Sequence, residues 1–308
     1  MGRLTNLRGV DPVLTTLARG YSNAELIAAA LFPVVLVPKE AGQYPEFGKE
    51  AFKLYNTERA LRGKSNRMDP EALNWVDFTT KENDIEYPID YREKNEALFN
   101  TQKHGTVTVQ NILLLQREYQ AAALAQNVAT YGASNKVVLS GTSQFTDYTN
   151  SDPVAVVDAG KEAIRAKTGK YPNTMTMGAV TFKTLKEHPK LIEKIKYSMK
   201  GVLTVELLKQ IFDIETLKIG KAVYADDDGT FHDVWSDNIT LAYVPKKQSG
   251  MDRDWHEPSF GYTLRRTGYP FVDRYEEGKK LELVRDTDNF VVKVVGADAG
   301  YLISDTNG

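Results

Sequence analysis

Val107 to Tyr131, VTVQNILLLQREYQAAALAQNVATY, closed by Gly132, is the stretch on which the fold turns. Ile112, Leu115, Tyr119 and Ala122 recur at three- and four-residue steps with Val109, Leu113 and Ala125 beside them, while Gln116, Arg117 and Gln120 take the opposite side. That spacing predicts an amphipathic helix. At about 1.5 Å per residue it reaches roughly 38 Å, about twice the mean globular helix. Gly132 is placed to stop it in the left-handed conformation. A helix of this length needs a sheet or another helix along its apolar side.

Working outward, 308 residues with 42% hydrophobic and 26% charged content describe a globular chain with room for one large domain or two ordinary ones. A formal charge of -2 carries no global basic footprint of the kind that tight, sequence-independent nucleic-acid binding needs, and leaves room only for local basic patches. With no cysteine, disulfides, thiolate nucleophiles and cysteine metal sites are excluded. The apolar run from Leu26 to Val37 contains Pro33, is too short to cross a bilayer, and is preceded by Asn23 and Glu25 rather than by a basic signal-peptide start. No membrane partner is expected.

The first forty residues read as an arm. Asp11-Pro12 is a helix-start pair, and Ser22 to Glu25 forms a capping box before ELIAAALF, which Pro33 ends. So short a helix buries no core, so the arm must lie on another surface, of this chain or of a neighbour. Next, PEFGKEAFKLYNTERAL and ALNWVDFTTKENDIEYPI alternate apolar and charged residues around the polar tip Arg62 to Asp69 and predict a long hairpin. Lys49, Lys53, Arg59, Arg62, Lys64 and Arg67 stand among Glu46, Glu50, Glu58, Asp69 and Glu71. A ribbon so charged on both faces is marginal alone and calls for a partner surface.

Asp90 to Phe99 predicts a short helix and His104-Gly105 a loop into the long one. Lys136 to Ser140 can be a strand, and Gly141 to Ser151 is a polar loop. Asp152-Pro153 starts a helix that Gly169 stops. Asn173 to Gly178 then reads as a strand, Val180 to Tyr197 as a helix broken by Pro189, and Thr204 to Phe212 as a helix capped by Thr204. Leu217 to Tyr224 and Val234 to Val244 read as strands joined at Asp228-Gly229. From Pro258 the chain is strand-rich: FGYTLRR, KKLELVR, NFVVKVV and YLIS. This order predicts an inserted α/β unit, with the tail returning to the first sheet.

That order resembles the major capsid proteins of tailed bacteriophages, the Hong Kong 97-type fold, over nearly the whole chain. The likeness is carried by YSNAELIAAALFPVVLVPKEAGQYPEFGKEAF, by Ser151-Asp152-Pro153 and Thr168-Gly-Lys-Tyr-Pro-Asn173, and by Val180 to Thr204 with His188-Pro189 and Gly201. Asp233-Val-Trp235 and Ala299-Gly-Tyr-Leu302 add to it. The resemblance implies an α+β fold with an N-terminal arm (1–42), an extended loop or E-loop (43–90), a peripheral domain with a long spine helix (87–151 and 258–308) and an axial α/β domain (152–257). No long segment precedes the arm, so no fused scaffold domain is expected. The function implied is a structural subunit of an icosahedral virion shell, assembled in the host cytoplasm from hexamers and pentamers of itself. Scaffolding, portal and decoration proteins are the expected partners, and packaged double-stranded DNA is touched non-specifically. The alternative on the same fold is an encapsulin-type compartment shell. Leu26, Ile27, Leu31 and Phe32 on the arm and Arg59, Arg62, Lys64 and Arg67 near the hairpin tip are the expected inter-subunit contacts.

Chemistry offers no rival. Gly63-Lys-Ser65 ends like a phosphate loop, but Glu58 stands where its first glycine belongs. Gly141-Thr-Ser143-Gln-Phe145 lacks the second glycine of a nucleophile elbow. Pro258 and Phe260 break the zinc-protease pattern that His256-Glu257 opens, and Asp226 to Gly229 has turn rather than calcium spacing. His104, His188, His232 and His256 are scattered. No enzyme activity, cofactor or metal is expected.

Overall fold

The computed structural model describes residues 9–10, 26–46, 54, 57–59, 61, 63–67, 74–97, 100–195, 203–246, 259–278 and 280–308. Its first half contains β1 (Gly9–Val10), α1 (Ala28–Leu31), β2 (Val34–Val37), β3 (Ala41–Glu46), β4 (Asn74–Thr79), β5 (Lys81–Asp90), α2 (Tyr91–Glu96), α3 (Thr101–Ala125), β6 (Lys136–Val138) and α4 (Pro153–Thr168). There follow β7 (Thr174–Gly178), α5 (Ala179–Glu187), α6 (Pro189–Ile195), α7 (Val205–Phe212), β8 (Thr216–Gly220), β9 (Val223–Ala225), β10 (Phe231–Asp233) and β11 (Ile239–Ala242). The tail supplies β12 (Gly261–Arg266), β13 (Phe271–Glu277), β14 (Leu281–Val294) and β15 (Gly300–Ser304).

The long helix exists but is shifted toward the N-terminus. Asn100 caps it by accepting from the Lys103 amide at 2.9 Å, so His104 and Gly105 lie inside the helix rather than in a loop. Gly105 is tolerated because Tyr87 packs where its side chain would be: a Cβ there would sit 2.9 Å from the ring. At the other end Gly132 is not the stop. The Thr130 hydroxyl donates to Leu124 O (3.0 Å) and the Tyr131 hydroxyl to Ala125 O (2.7 Å), so side chains cap the last carbonyls and the helix ends at Ala125. Gly132 has φ -62 and begins a short 3-10 turn instead.

The buried line of α3 is Val109, Leu113, Ala121, Ala122 and Ala125 together with Gln110 and Glu118. Ile112 and Tyr119, expected at the centre of the apolar face, are each 43% exposed. The buried line takes in the polar Gln110 and Glu118, which the apolar spacing left out.

Two sheets flank this helix. In the six-stranded sheet the order is β1-β13-β14-β12-β2, with β5 pairing along β14. In the five-stranded sheet it is β6-β15-β11-β7-β8. The prediction that the tail rejoins the first sheet holds for β12 to β14 but not for β15, which pairs with β11 and β6. Strand alternation explains the placement. On β11 and β15, Ile239, Leu241, Tyr301 and Ile303 face a core shared with α4 and α7, while Ala242 and Leu302 face a second core shared with α1 and α3. KKLELVR and NFVVKVV, read as separate strands, are one continuous β14.

Local signals hold inside the α/β unit. Asp152 accepts from the amides of Val154 and Ala155 (3.1 Å each) ahead of Pro153, and Gly169 closes α4 at φ 68. Thr204 caps α7, and Pro189 separates α5 from α6. Asp226 holds the Asp228-Gly229 turn, but the paired strands are the short β9 and β10.

Candidate assembly interface

The arm is built into its own subunit. Ile27, Ala28, Leu31 and Phe32 are buried with Ala121, Ala122 and Ala125 of α3, and the Phe32 ring sits 5.4 Å from that of Phe260. Leu26 packs partly buried against the same cluster. Ile27, Leu31 and Phe32 keep almost no surface for a neighbour, which corrects the expected inter-subunit contact at those three, while Leu26 stays partly exposed. The physical reason is Glu118, 2% exposed on α3. Its carboxylate accepts from the Ile27 amide (2.7 Å), the Ala28 amide (2.8 Å) and the Trp235 indole (2.6 Å). A buried charge on the helix supplies the cap that a one-turn helix lacks, and it ties arm, long helix and α/β unit together. One clue was visible in the sequence: a glutamate among alanines and leucines on the core side of a helix needs partners. The Ser22 to Glu25 capping box lies outside the described residues.

Most of the described residues toward the hairpin tip are exposed. β3 and β4 pair antiparallel from Ala41↔Thr79 to Glu46↔Asn74 as a separate two-stranded sheet. Phe78 and Tyr44 anchor its base against Val37, Leu264 and Val291. Farther out Trp75 is 55% exposed, and Leu54 and Leu61 are wholly open to solvent. Arg59, Lys64 and Arg67 are exposed, with Arg59 donating to Gly63 O at 3.1 Å; Arg62 lies outside the described residues. Gly63-Lys64-Ser65, the phosphate-loop look-alike, falls in this open tip.

One pair that sequence reasoning missed is Ser151 and His188, 3.0 Å apart and buried. The Ser151 hydroxyl donates to Asp147 O (2.7 Å) and His188 Nδ1 accepts from the Lys190 amide (3.3 Å), so the neutral ring carries its proton on Nε2 and donates it to Ser151. That is the wrong tautomer for a base acting on serine, and no acid orients the ring from behind. The pair is a latch between the start of α4 and the α5–α6 junction. Burial, with the charge of Lys190, holds His188 below the usual histidine range, against the opposing pull of Asp152. The unfolded chain therefore takes up the proton more readily. Stability from this latch should be complete above about pH 6.5 and be lost as pH falls through that value toward the lower folded pKa. His188→Gln should flatten that acid limb in a pH series of denaturation midpoints; an unchanged limb would count against it.

The middle of β14 carries Asp286 and Asp288 on the side facing α3. Burial, then the neighbouring Asp288 charge, raises Asp286 to about 7, while Arg265 offsets part of the shift. Asp288 is also raised by burial, against its 2.7 Å ion pair with Arg265. The native state thus holds the Asp286 proton more tightly than the unfolded chain. This contribution is fully present below about pH 3.8 and is lost as pH rises through about 7. Asp286→Asn should stabilise the subunit at pH 8 by about 1 to 3 kcal/mol and change little at pH 4. Equal effects at both pH values would contradict the assignment.

A long helix crosses one sheet, an α/β unit is tied to it through Glu118 and Trp235, and a charged hairpin extends from its packed base. Residues 64–259 match the family described as Phage major capsid protein E. The chain is 56% identical, over all of itself and all of the relative, to the major capsid protein of Burkholderia phage BcepMu. Among solved structures, the crystal structure of a phage-related protein from Bordetella bronchiseptica RB50 shares 33% identity, with 98% of this chain and 99% of that one covered, at a TM-score of 0.80. The capsid of cyanophage P-SCSP1u superposes at 0.58 with 11% identity, over 98% of this chain and 94% of that one, which shows the fold alone. The chain belongs to the phage major capsid protein E family: it has the Hong Kong 97-type fold and forms the capsid shell of a phage. Among the described residues no helix is long and apolar enough to cross a membrane.

Proposed function

We propose that this subunit assembles through its hairpin into hexamers and pentamers of an icosahedral head, in the host cytoplasm, around a scaffolding protein and a portal. Packaged double-stranded DNA is touched only non-specifically, in keeping with a net charge of -2. The shell is held by packing and charge pairing, not by catalysis. The working division is an arm over 1–42, an extended loop over 43–90, a peripheral domain over 87–151 and 258–308, and an axial domain over 152–257. Strands β6 and β15 stitch the last two together through one sheet.

The observation that carries this reading is the hairpin itself: Leu54, Leu61 and Trp75 are exposed, and among the described residues it is the base of the ribbon that is packed. Apolar side chains so placed gain burial only from another chain. Reversing the tip with Arg59→Glu and Lys64→Glu should leave the melt of the subunit nearly unchanged, since exposed pairs are worth only about 0.2 to 1 kcal/mol each. Assembly followed by light scattering should slow by about ten-fold at low salt and less at high salt. A variant that assembles at the wild-type rate across the salt range would overturn the reading.

A further inference from the structure

β5 follows the hairpin strand β4 with Thr80 alone between them, and it pairs with β14 from Lys81↔Phe290 to Asp90↔Leu281. Strand alternation puts Glu82 and Asp84 on the face of this ladder turned away from α3, where Asn289 stands directly opposite Glu82 and Thr287 directly opposite Asp84. The four side chains therefore start from the corners of a rectangle roughly 5 Å across the ladder and 7 Å along it. Both carboxylates are exposed. Thr287 and Asn289 are each 1% exposed, and neither Thr287 Oγ1 nor Asn289 Oδ1 has a hydrogen-bond partner among the described residues. Asn289 donates its amide nitrogen to Glu40 at 3.2 Å, so its carbonyl oxygen is turned away from Glu40, on the face that carries Glu82 and Asp84. Buried acceptors are rarely left without a donor or an ion.

The protein's own cations do not fill this need. Arg285 comes within 3.8 Å of Asp84, but Asp273 holds its guanidinium through two hydrogen bonds of 2.9 and 2.6 Å, and Arg266 is paired with Glu40. Glu82 accepts the Tyr269 hydroxyl at 3.3 Å, a neutral donor that leaves the charge of the carboxylate in place. Among the described residues no three histidines or acids gather to hold a metal, so this cluster offers two carboxylates and two neutral oxygens instead. A set made only of oxygens suits a hard cation, and one open to water on the carboxylate side suits calcium, which takes six to eight oxygens in flexible geometry, better than magnesium, which demands a near-ideal octahedron. We propose that Glu82, Asp84, Thr287 and Asn289 form a calcium-type divalent-cation site that fastens the root of the hairpin to β14.

The test uses the purified full chain and terbium, a hard cation close to calcium in size whose luminescence a nearby tyrosine sensitises; Tyr269 stands beside the site. The signal should saturate at one ion per chain and be reversed by calcium with a dissociation constant on the order of 10⁻⁴ M, as befits a site with few acids, and by magnesium about ten-fold less well. Calcium at about a hundred times that constant should raise the melt of the subunit by about 4 °C. Asp84→Asn and Thr287→Val should each weaken binding about ten-fold, and Thr287→Ser, which keeps the oxygen, should restore it to within about two-fold of wild type. The wild-type titration and melt hold the proposal to account even where a variant folds poorly. A terbium signal untouched by Asp84→Asn would place the ion elsewhere and overturn the site. Loss in Asp84→Asn beside full binding in Thr287→Val would show a loose ion atmosphere over the acidic strand and overturn it too. No saturable signal and no shift in the melt would mean that the orphaned oxygens meet an ordered water only, which also overturns it.

Discussion

Glu118→Ala is expected to destabilise the isolated subunit by about 3–5 kcal/mol, because each buried donor left without an acceptor costs about 1–3 kcal/mol. The donors are the amides of Ile27 and Ala28 and the indole of Trp235. Glu118→Gln keeps one acceptor oxygen, yet turns an amide toward one of the three donors and loses the charge, so it should cost about 1–3 kcal/mol. Urea denaturation below the assembly concentration measures both. The ranking alanine, then glutamine, then wild type is the expected result. Two substitutions within about 0.5 kcal/mol of wild type would show that the three bonds contribute nothing.

The second large effect concerns the arm. Phe32→Ala should cost about 3–5 kcal/mol and Leu31→Ala about 2–5, the range for large-to-small changes in a packed core. Phe32 rests on Phe260, which in turn stacks on Tyr131 at 5.7 Å, so the cavity would open between α3 and the first strand of the tail. Removing residues 1–35 should therefore leave an insoluble or unfolded chain. Recovery of soluble truncated subunit with a wild-type melt would contradict a packing role for the arm.

Capping chemistry was legible because it is local. Asp152-Pro153, Gly169, Thr204 and Pro189 act within one turn, and each does what its residue type dictates. The hairpin base and the long helix were legible from periodicity. What escaped were features whose meaning lies across the chain. Glu118 finds its partners about ninety or more positions away in sequence, where helix spacing says nothing of them. Arg285 to Asn289 looked like a break between strands. Asp273 and Arg265 on β13 and β12 satisfy the charges of Arg285 and Asp288 and let β14 run through. Hairpin contacts were legible as a need, from balanced charge on both faces.

In the proposed shell the hairpin of each subunit lies across its neighbour. Electron cryomicroscopy of particles assembled from the purified chain tests it most directly. Closed shells in which density for residues 43–90 crosses from one subunit onto the next are the predicted result. Shells in which that segment folds back on its own subunit, or a folded chain that stays monomeric at high concentration, would contradict it.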